Sequence, residues 1–154
     1  MIDLLYKYFF IVNREEKSKI LSMNKYFMYI LVIISIMSVS AGEINSWQCS
    51  KFNGARIIGE DGDYLGKLGP NYMSDSIYND SSSYSGSWST DSIFNTSSKY
   101  GNSYSNNSVF NDTASYPPVI LSEDGEVLGR LSIGPSYLSD RYNPYDIKYT
   151  CDWD

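Results

Sequence analysis

A sixteen-residue repeat occupies the middle of the chain and restricts the folds that this sequence can adopt. The block DSIYN at 75–79 returns as DSIFN at 91–95 and as NSVFN at 107–111. An aromatic residue lies three positions before each block, and another lies five positions after it. Repetition at a fixed period indicates one small structural unit that is used several times, with each copy stacked on its neighbours.

The composition of the repeats indicates that aromatic rings form their core. Between 71 and 116, 25 of 46 residues are Ser, Thr or Asn, five are Met, Ile, Val or Ala, and nine are aromatic. A flexible linker has a similar serine content, but it does not place rings at a fixed period. Since each ring can bury about 150–250 Å², we expect the rings to stack between successive units. The predicted core residues are Tyr72, Ile77, Tyr78, Tyr84, Trp88, Ile93, Phe94, Tyr100, Tyr104, Val109, Phe110 and Tyr116.

The polar residues of each unit are expected to cap and close its turns. Carboxylate and amide side chains cap a single helical turn, and asparagine tolerates a left-handed closing conformation. The predicted caps are Asp75, Asp91 and Asn107, the predicted closing residues are Asn79, Asn95 and Asn111, and tight reversals are predicted at Gly86 and Gly101.

A second duplication flanks the repeats. EDGDYLGKL at 60–68 matches EDGEVLGRL at 123–131, and each copy follows a short apolar run. Two apolar runs joined by an Asp-Gly pair indicate a β-hairpin, in which the glycine supplies the positive φ of the turn. We expect hairpins at 56–68 and 118–131 to pair into a four-stranded sheet, with the repeats at 72–116 as a separable insertion. The predicted turn residues are Asp61, Gly62, Asp124 and Gly125, and the predicted buried sheet residues include Ile57, Leu65, Val119 and Leu128.

The predicted fold class is all-β, or β with little regular structure, because no stretch after residue 41 shows a sustained 3.6-residue apolar period. In this fold two Asp-Gly β-hairpins bracket three turn-rich aromatic repeats. An N-terminal signal helix is expected, and no long helix is expected after residue 41.

The N-terminal part of the chain has the features of a secretory signal. Residues 26–41 are apolar apart from three serines, follow a Met-Asn-Lys start and end in Val-Ser-Ala. These features predict a signal peptide at 23–41, cleaved after Ala41, with an upstream extension at 1–22. A membrane anchor is the alternative, but 16 residues are short against the roughly 20 that span a bilayer. Residues 42–154 would then be one small exported domain, periplasmic or extracellular, that meets the membrane only through the signal segment before cleavage.

Two cysteines, Cys49 and Cys151, lie near opposite ends of this domain. An even number of cysteines in an exported protein predicts a disulfide bond. Such a bond would close a loop of about 100 residues, which removes entropy from the unfolded chain.

The charge of the domain restricts its partners. Residues 42–154 carry seven Lys and Arg against fifteen Asp and Glu, a net charge of −8, and the chain contains no histidine. This acidic balance disfavours nucleic acid and anionic lipid. The lack of histidine removes the commonest general base and the commonest metal ligand, and no cofactor is expected.

The pattern S-x-[D/N]-S-[I/V]-[F/Y]-N, with Y-G-x-S-Y-S, two prolines, an apolar run and an x-D-G hairpin after it, resembles a group of small exported bacterial proteins of unknown function. The resemblance covers most of 59–143. It implies an exported location and no particular chemistry. The glycine of the pattern is present in the second unit, at Gly101, whereas the first unit reads SSSYSGS.

The acidic and aromatic residues suggest three chemical roles, which are calcium binding, glycoside hydrolysis and glycan binding. The acidic turns could hold calcium, but they lack the spacing of a calcium loop and are interpreted as solvated hairpin tips. A glycosidase needs two carboxyl groups about 5–10 Å apart in a cleft, and no nucleophile motif is present, so we predict no enzyme, no catalytic residue and no metal ligand.

The sequence therefore predicts an exported non-catalytic structural or interaction module with an unknown protein or glycan partner. The alternative is a cell-wall or glycan-binding protein, in which rings beside Asn and Asp form a sugar-binding face.

Overall fold

The computed structural model describes residues 44–135 and 138–154. The predicted signal peptide and the upstream extension lie outside the described residues. The described part contains two short helices and five strands: α1 (Ser46–Phe52), β1 (Arg56–Ile58), β2 (Tyr64–Lys67), β3 (Val119–Leu121), β4 (Val127–Leu131), β5 (Arg141–Tyr142) and α2 (Pro144–Thr150). Each of these helices has seven residues, and neither is long and apolar enough to cross a membrane. The prediction of a β-rich chain with little regular structure is confirmed at this level.

The two predicted hairpins form and pair with each other. The strands make one sheet in the order β2-β1-β3-β4-β5, in which β1 and β3 join the hairpins through an antiparallel ladder. The fifth strand, β5, adds in parallel to β4. Both hairpin tips follow the same plan, since Gly62 and Gly125 have φ values of +88° and +87°. Only glycine adopts this conformation without a steric cost, which explains why both copies keep the Asp-Gly pair.

In β3 the fully buried side chain lies one residue after the predicted one. Ile57 and Leu65 are fully buried, as the pattern predicts. In β3, however, Ile120 is fully buried and Val119 is half-buried, while Leu128 of β4 is also half-buried. Because side chains alternate between the two faces of a strand, a shift of one residue changes which side chain enters the core.

The repeats are built from consecutive turns that begin at every third residue over most of each unit. In the second unit the N–H groups of Ser92, Asn95 and Ser98 donate to the carbonyls of the residues three positions earlier, at 3.3, 3.3 and 2.9 Å. Ser or Asn opens each of these turns because its short polar side chain bonds the nearby backbone. The sixteen-residue unit therefore contains a finer three-residue pattern, Ser/Asn-x-x, with one extra residue.

Equivalent side chains make the same hydrogen bonds in all three units. The buried Ser76, Ser92 and Ser108 each accept the N–H of the residue two positions later, at 3.1, 3.1 and 3.0 Å. The side-chain amides of the three block-closing asparagines each donate to the carbonyl six residues earlier, at 2.8, 2.9 and 3.0 Å. The units thus share one local structure.

These bonds correct the predicted roles of the polar residues. The turn-forming side chain common to the three blocks is the serine, which lies one position after the predicted cap. Its hydroxyl is buried and accepts the backbone N–H two residues later. Among the described non-glycine residues, only Asp152 has a positive φ, so the closing asparagines are not left-handed. They close the unit through their side-chain amides instead. The residues concerned are the predicted caps Asp75, Asp91 and Asn107 and the predicted left-handed residues Asn79, Asn95 and Asn111.

The sheet and the repeats share a single hydrophobic core. Ile77, Ile93 and Val109, the aliphatic residues of the three blocks, are fully buried and belong to the same cluster as Ile57 and Leu65 of the sheet. In the intact chain the repeats are therefore not packed separately from the sheet. The repeats supply part of the surface against which the sheet packs.

The two ends of the domain are held together by the helices and the disulfide. Asn45 and Gln48 form a capping box at the start of α1, and Asn143 caps α2. The bond between Cys49 and Cys151 joins the two helical regions and confirms the predicted disulfide.

Candidate functional site

The predicted repeat-core residues occupy three levels of burial. Ile77, Ile93, Val109, Tyr78 and Tyr100 are buried, Tyr84, Phe94 and Phe110 are half-buried against the core, and Tyr72, Trp88, Tyr104 and Tyr116 are exposed. The half-buried and exposed rings are the ones that a ligand could reach.

The exposed rings contradict the expectation that all aromatic residues of the repeats form the core. Tyr72, Trp88 and Tyr104, which open the three units, are 82%, 94% and 92% exposed. Tyr116 is 51% exposed. The interior of each unit is already filled by its aliphatic residue and its buried serine, so the opening ring has no space there and projects into solvent.

Three rings from two repeats and α2 form a cluster at the surface. The ring centroids of Phe94 and Phe110 lie 6.0 Å apart, and Tyr145 lies 6.1 Å from Phe94 and 5.7 Å from Phe110. Phe94 and Phe110 hold the same position in successive units, and the turn bonds described above orient both rings to the same side. Tyr145 follows the Asn143 cap and Pro144 at the first turn of α2, which fixes where its ring meets the repeat.

These rings form part of a cleft with a volume of about 390 Å³. A cleft of this size lies within the usual range of small-ligand sites, about 300–1,000 Å³. It lies between the second and third repeat units and the start of α2. Its lining residues are Phe94, Thr96, Gly101, Asn102, Ser103, Tyr104, Phe110 and Tyr145.

The polar groups of the cleft are neutral. The Asn102 side-chain oxygen accepts the N–H of Tyr104 at 2.9 Å, which fixes the amide plane at the edge of the cleft. The backbone N–H of Asn102 donates to the carbonyl of Ser98 at 3.0 Å. Its side-chain Nδ2 and the hydroxyl groups of Thr96 and Ser103 make no hydrogen bond with other described residues. None of the eight lining residues is charged. The cleft therefore combines flat apolar rings with neutral donors and acceptors.

Gly101 allows the chain to turn closely beneath this cleft. A side-chain carbon at this position would overlap the backbone carbonyl oxygens of Ile93 and Asn95. The glycine is thus required for a close backbone approach. At Gly86, the other predicted reversal, an added carbon would meet open space.

The acidic tip of the first hairpin contacts the repeats. Glu60 accepts a hydrogen bond from Asn107 at 3.0 Å, Asp61 pairs with Lys99, and Asp63 accepts the hydroxyl of Tyr100 at 2.6 Å. Among the described residues, no group of three or more His, Cys, Asp or Glu side chains is arranged to hold a metal ion. The contacts assign this tip a structural role in positioning the second and third units.

Two tyrosine–aspartate hydrogen bonds between the first hairpin and the repeats are accompanied by shifted pKa values. Burial, followed by the hydrogen bond to Asp63, raises the pKa of Tyr100 to about 12. The hydrogen bond that Tyr64 donates to Asp75, at 2.6 Å, lowers the pKa of the Asp75 carboxyl below its ordinary value. Burial of Tyr64 raises its pKa well above the usual tyrosine range. These shifts belong to partly buried contacts between the first hairpin and the repeats.

Sequence reasoning missed part of the cleft. It identified Phe94, Phe110 and Tyr104 as repeat residues, but it did not identify Tyr145 or the polar group formed by Asn102 and its neighbours. The Asn-Pro pair before Tyr145 is a helix-start signal that could have indicated α2.

Comparison of this chain with protein-family models, with curated proteins and with solved structures finds no match. The fold and the cleft are therefore the basis for assigning a function.

Proposed function

We propose that this protein is an exported, non-catalytic module that binds a neutral glycan in the cleft beside Tyr145. The observation that carries this proposal is the combination of a three-ring cluster, in which two rings are half-buried and Tyr145 is exposed, with uncharged hydroxyl and amide groups in one cleft. Flat rings stack against the apolar face of a sugar, and neutral donors and acceptors bind its hydroxyl groups.

The exported location is supported by the disulfide between Cys49 and Cys151. Disulfides form and persist in oxidising compartments and are rare in the cytosol. The apolar N-terminal segment and its small-residue end support the same location.

A binding role is supported over hydrolysis by the lining of the cleft. Glycoside hydrolysis commonly needs two carboxyl groups on either side of the bond that is cleaved. The eight lining residues include no carboxylate and no cysteine, and the chain contains no histidine. The acidic residues of the first hairpin are engaged with Asn107, Lys99 and Tyr100 instead.

A general role as a protein-interaction module is the broader alternative. Protein interfaces also use exposed aromatic residues, but they are commonly rimmed by charged and polar groups that select the partner. The neutral lining of this cleft favours a neutral ligand, which is why a glycan is the preferred class.

A depletion assay tests the proposal. Purified domain is mixed with insoluble cellulose and with insoluble chitin, and the unbound protein is measured. We expect retention on at least one of these polysaccharides, and a Tyr145→Ala change should reduce the affinity by about five-fold or more, since a ring contact contributes about 1 kcal/mol.

Tyr149→Ala is the matched control for this assay. Tyr149 lies one helical turn after Tyr145, is 90% exposed and does not line the cleft. Its truncation should leave retention unchanged. Failure of the wild-type protein to bind any of the polysaccharides, or equal loss in both variants, would refute the proposal.

A further inference from the structure

The rings that open the three units recur at one position of a repeated structure. Tyr72, Trp88 and Tyr104 are each separated by sixteen residues, and each is more than four-fifths exposed. Tyr104 also lines the cleft. The row of opening rings, defined as Tyr72, Trp88 and Tyr104, therefore shares one residue, Tyr104, with the candidate site.

In the second and third units, equivalent positions lie on the same side of the stack. Phe94 and Phe110, sixteen residues apart, have ring centroids 6.0 Å from each other. The N–H of Val109 donates to the carbonyl of Tyr100 at 3.0 Å, which joins successive units through the backbone. The turn that holds the opening ring has the same backbone bond in each unit, since the N–H groups of Met73, Ser89 and Ser105 donate to the carbonyls three positions earlier at 3.1, 3.4 and 2.9 Å. We therefore expect the opening ring to leave each unit in an equivalent direction.

The surface near the row carries little charge. Between 70 and 106 the charged residues are Asp75, Asp80, Asp91 and Lys99, and Asp75 is paired with Lys67. Lys99 is paired with Asp61 of the first hairpin, so its charge is compensated. The remaining acidic residues disfavour an anionic partner, and the low density of charge leaves ring stacking as the main contact for a neutral one.

The opening rings bury little of their surface within the described residues, so they contribute little to the hydrophobic core. A solvated position in a turn-rich segment accepts Ser or Asn equally well, and these residues fill most neighbouring positions. A large ring in water at the same place in each unit gains its stabilisation only when a partner covers it.

We propose that a single neutral polysaccharide chain lies along the repeats, anchored in the cleft and stacked on one opening ring per unit. This inference rests on the proposed function and specifies its ligand as a polymer of repeated sugar units. A polymer of identical sugar units can contact each protein repeat in the same way. Once one sugar unit is bound, each further contact of the same polymer is intramolecular and adds to the affinity. Trp88 is then a specificity-determining residue for chain length.

Binding of oligosaccharides of different lengths tests this inference. The probes are cellobiose and cellohexaose, and chitobiose and chitohexaose, measured by isothermal titration with the oxidised domain. The wild-type protein should bind one of the hexasaccharides at least ten-fold more tightly than its disaccharide. Trp88→Ala should lose at least five-fold in hexasaccharide affinity without a change for the disaccharide, and Trp88→Tyr, which has the ring type of the other two units, should restore it.

Trp47→Ala serves as the matched control. Trp47 is 66% exposed on α1, outside the repeats, so its truncation should leave both affinities unchanged. Equal hexasaccharide affinity of the wild-type protein and Trp88→Ala would overturn the inference while leaving the proposed function in place. Absence of binding to every saccharide tested would overturn both.

Discussion

Tyr100 and Tyr104 give a sharp test of how the repeats are built, because the sequence pattern assigns both to the core whereas the structure separates them. Tyr100 is 3% exposed and packs beside Gly59, where an added side-chain carbon would overlap the tyrosine ring. Its hydroxyl donates to Asp63 at 2.6 Å. Truncation of a buried ring costs about 3–5 kcal/mol, so Tyr100→Ala should lower the melting temperature by about 12–20 °C in a domain of this size.

Tyr104→Ala is the matched control, since Tyr104 is 92% exposed and its truncation should change stability by less than about 0.5 kcal/mol. Tyr100→Phe separates the ring from its hydrogen bond, and it should cost about 1 kcal/mol because Asp63 is exposed and is rehydrated. Urea denaturation followed by tryptophan fluorescence, with the disulfide intact, measures all three variants. Equal destabilisation by Tyr100→Ala and Tyr104→Ala would refute the assignment of an inner and an outer ring in this unit.

Three further predictions concern the backbone, the charge pairs and the disulfide. Gly101→Ala should lower the melting temperature, because the new side chain would overlap two carbonyl oxygens, whereas Gly86→Ala should not; a similar effect of the two changes would contradict the close approach at Gly101. The Asp75 carboxylate, whose pKa is lowered by the hydrogen bond from Tyr64, should contribute stability that is present above about pH 4 and is lost as the pH falls through its folded pKa. Asp75→Asn should therefore be less stable at neutral pH and lose less stability on acidification, and parallel acid-unfolding curves would count against this pair. Reduction of the disulfide, which spans 102 residues, should destabilise the domain by up to about 4–5 kcal/mol in the chain-entropy treatment, and an unchanged melting temperature after reduction would contradict it.

Most of the fold could be predicted from the two duplications in the sequence. The Asp-Gly copies predicted both hairpins and their pairing, because glycine at a positive φ leaves a strong local signal. The buried positions Ile77, Ile93 and Val109 followed from the repeat period alone. A single-residue shift in β3 could not be predicted, since Val119 and Ile120 are equally suited to a strand and long-range pairing with β1 determines which one enters the core.

The cleft was harder to predict than the fold. Aromatic content suggested that every ring of the repeats was core, yet the space inside each unit is limited by its backbone turns and its buried serine. Burial of Tyr100 and exposure of Tyr104 depend on that space, which is a property of the folded chain. Tyr145 joins the cleft from a helix about 35–50 residues away in sequence, and no local pattern connects it to Phe94 or Phe110.

An NMR titration tests the glycan-binding account most directly. Amide resonances of the ¹⁵N-labelled, oxidised domain are followed as chitohexaose or cellohexaose is added. The account predicts that at least one hexasaccharide produces saturable shifts centred on Thr96, Asn102, Ser103 and Tyr104, with smaller shifts at Trp88. Shifts absent with both hexasaccharides, or confined to surfaces such as the hairpin turn at 122–126, would contradict it.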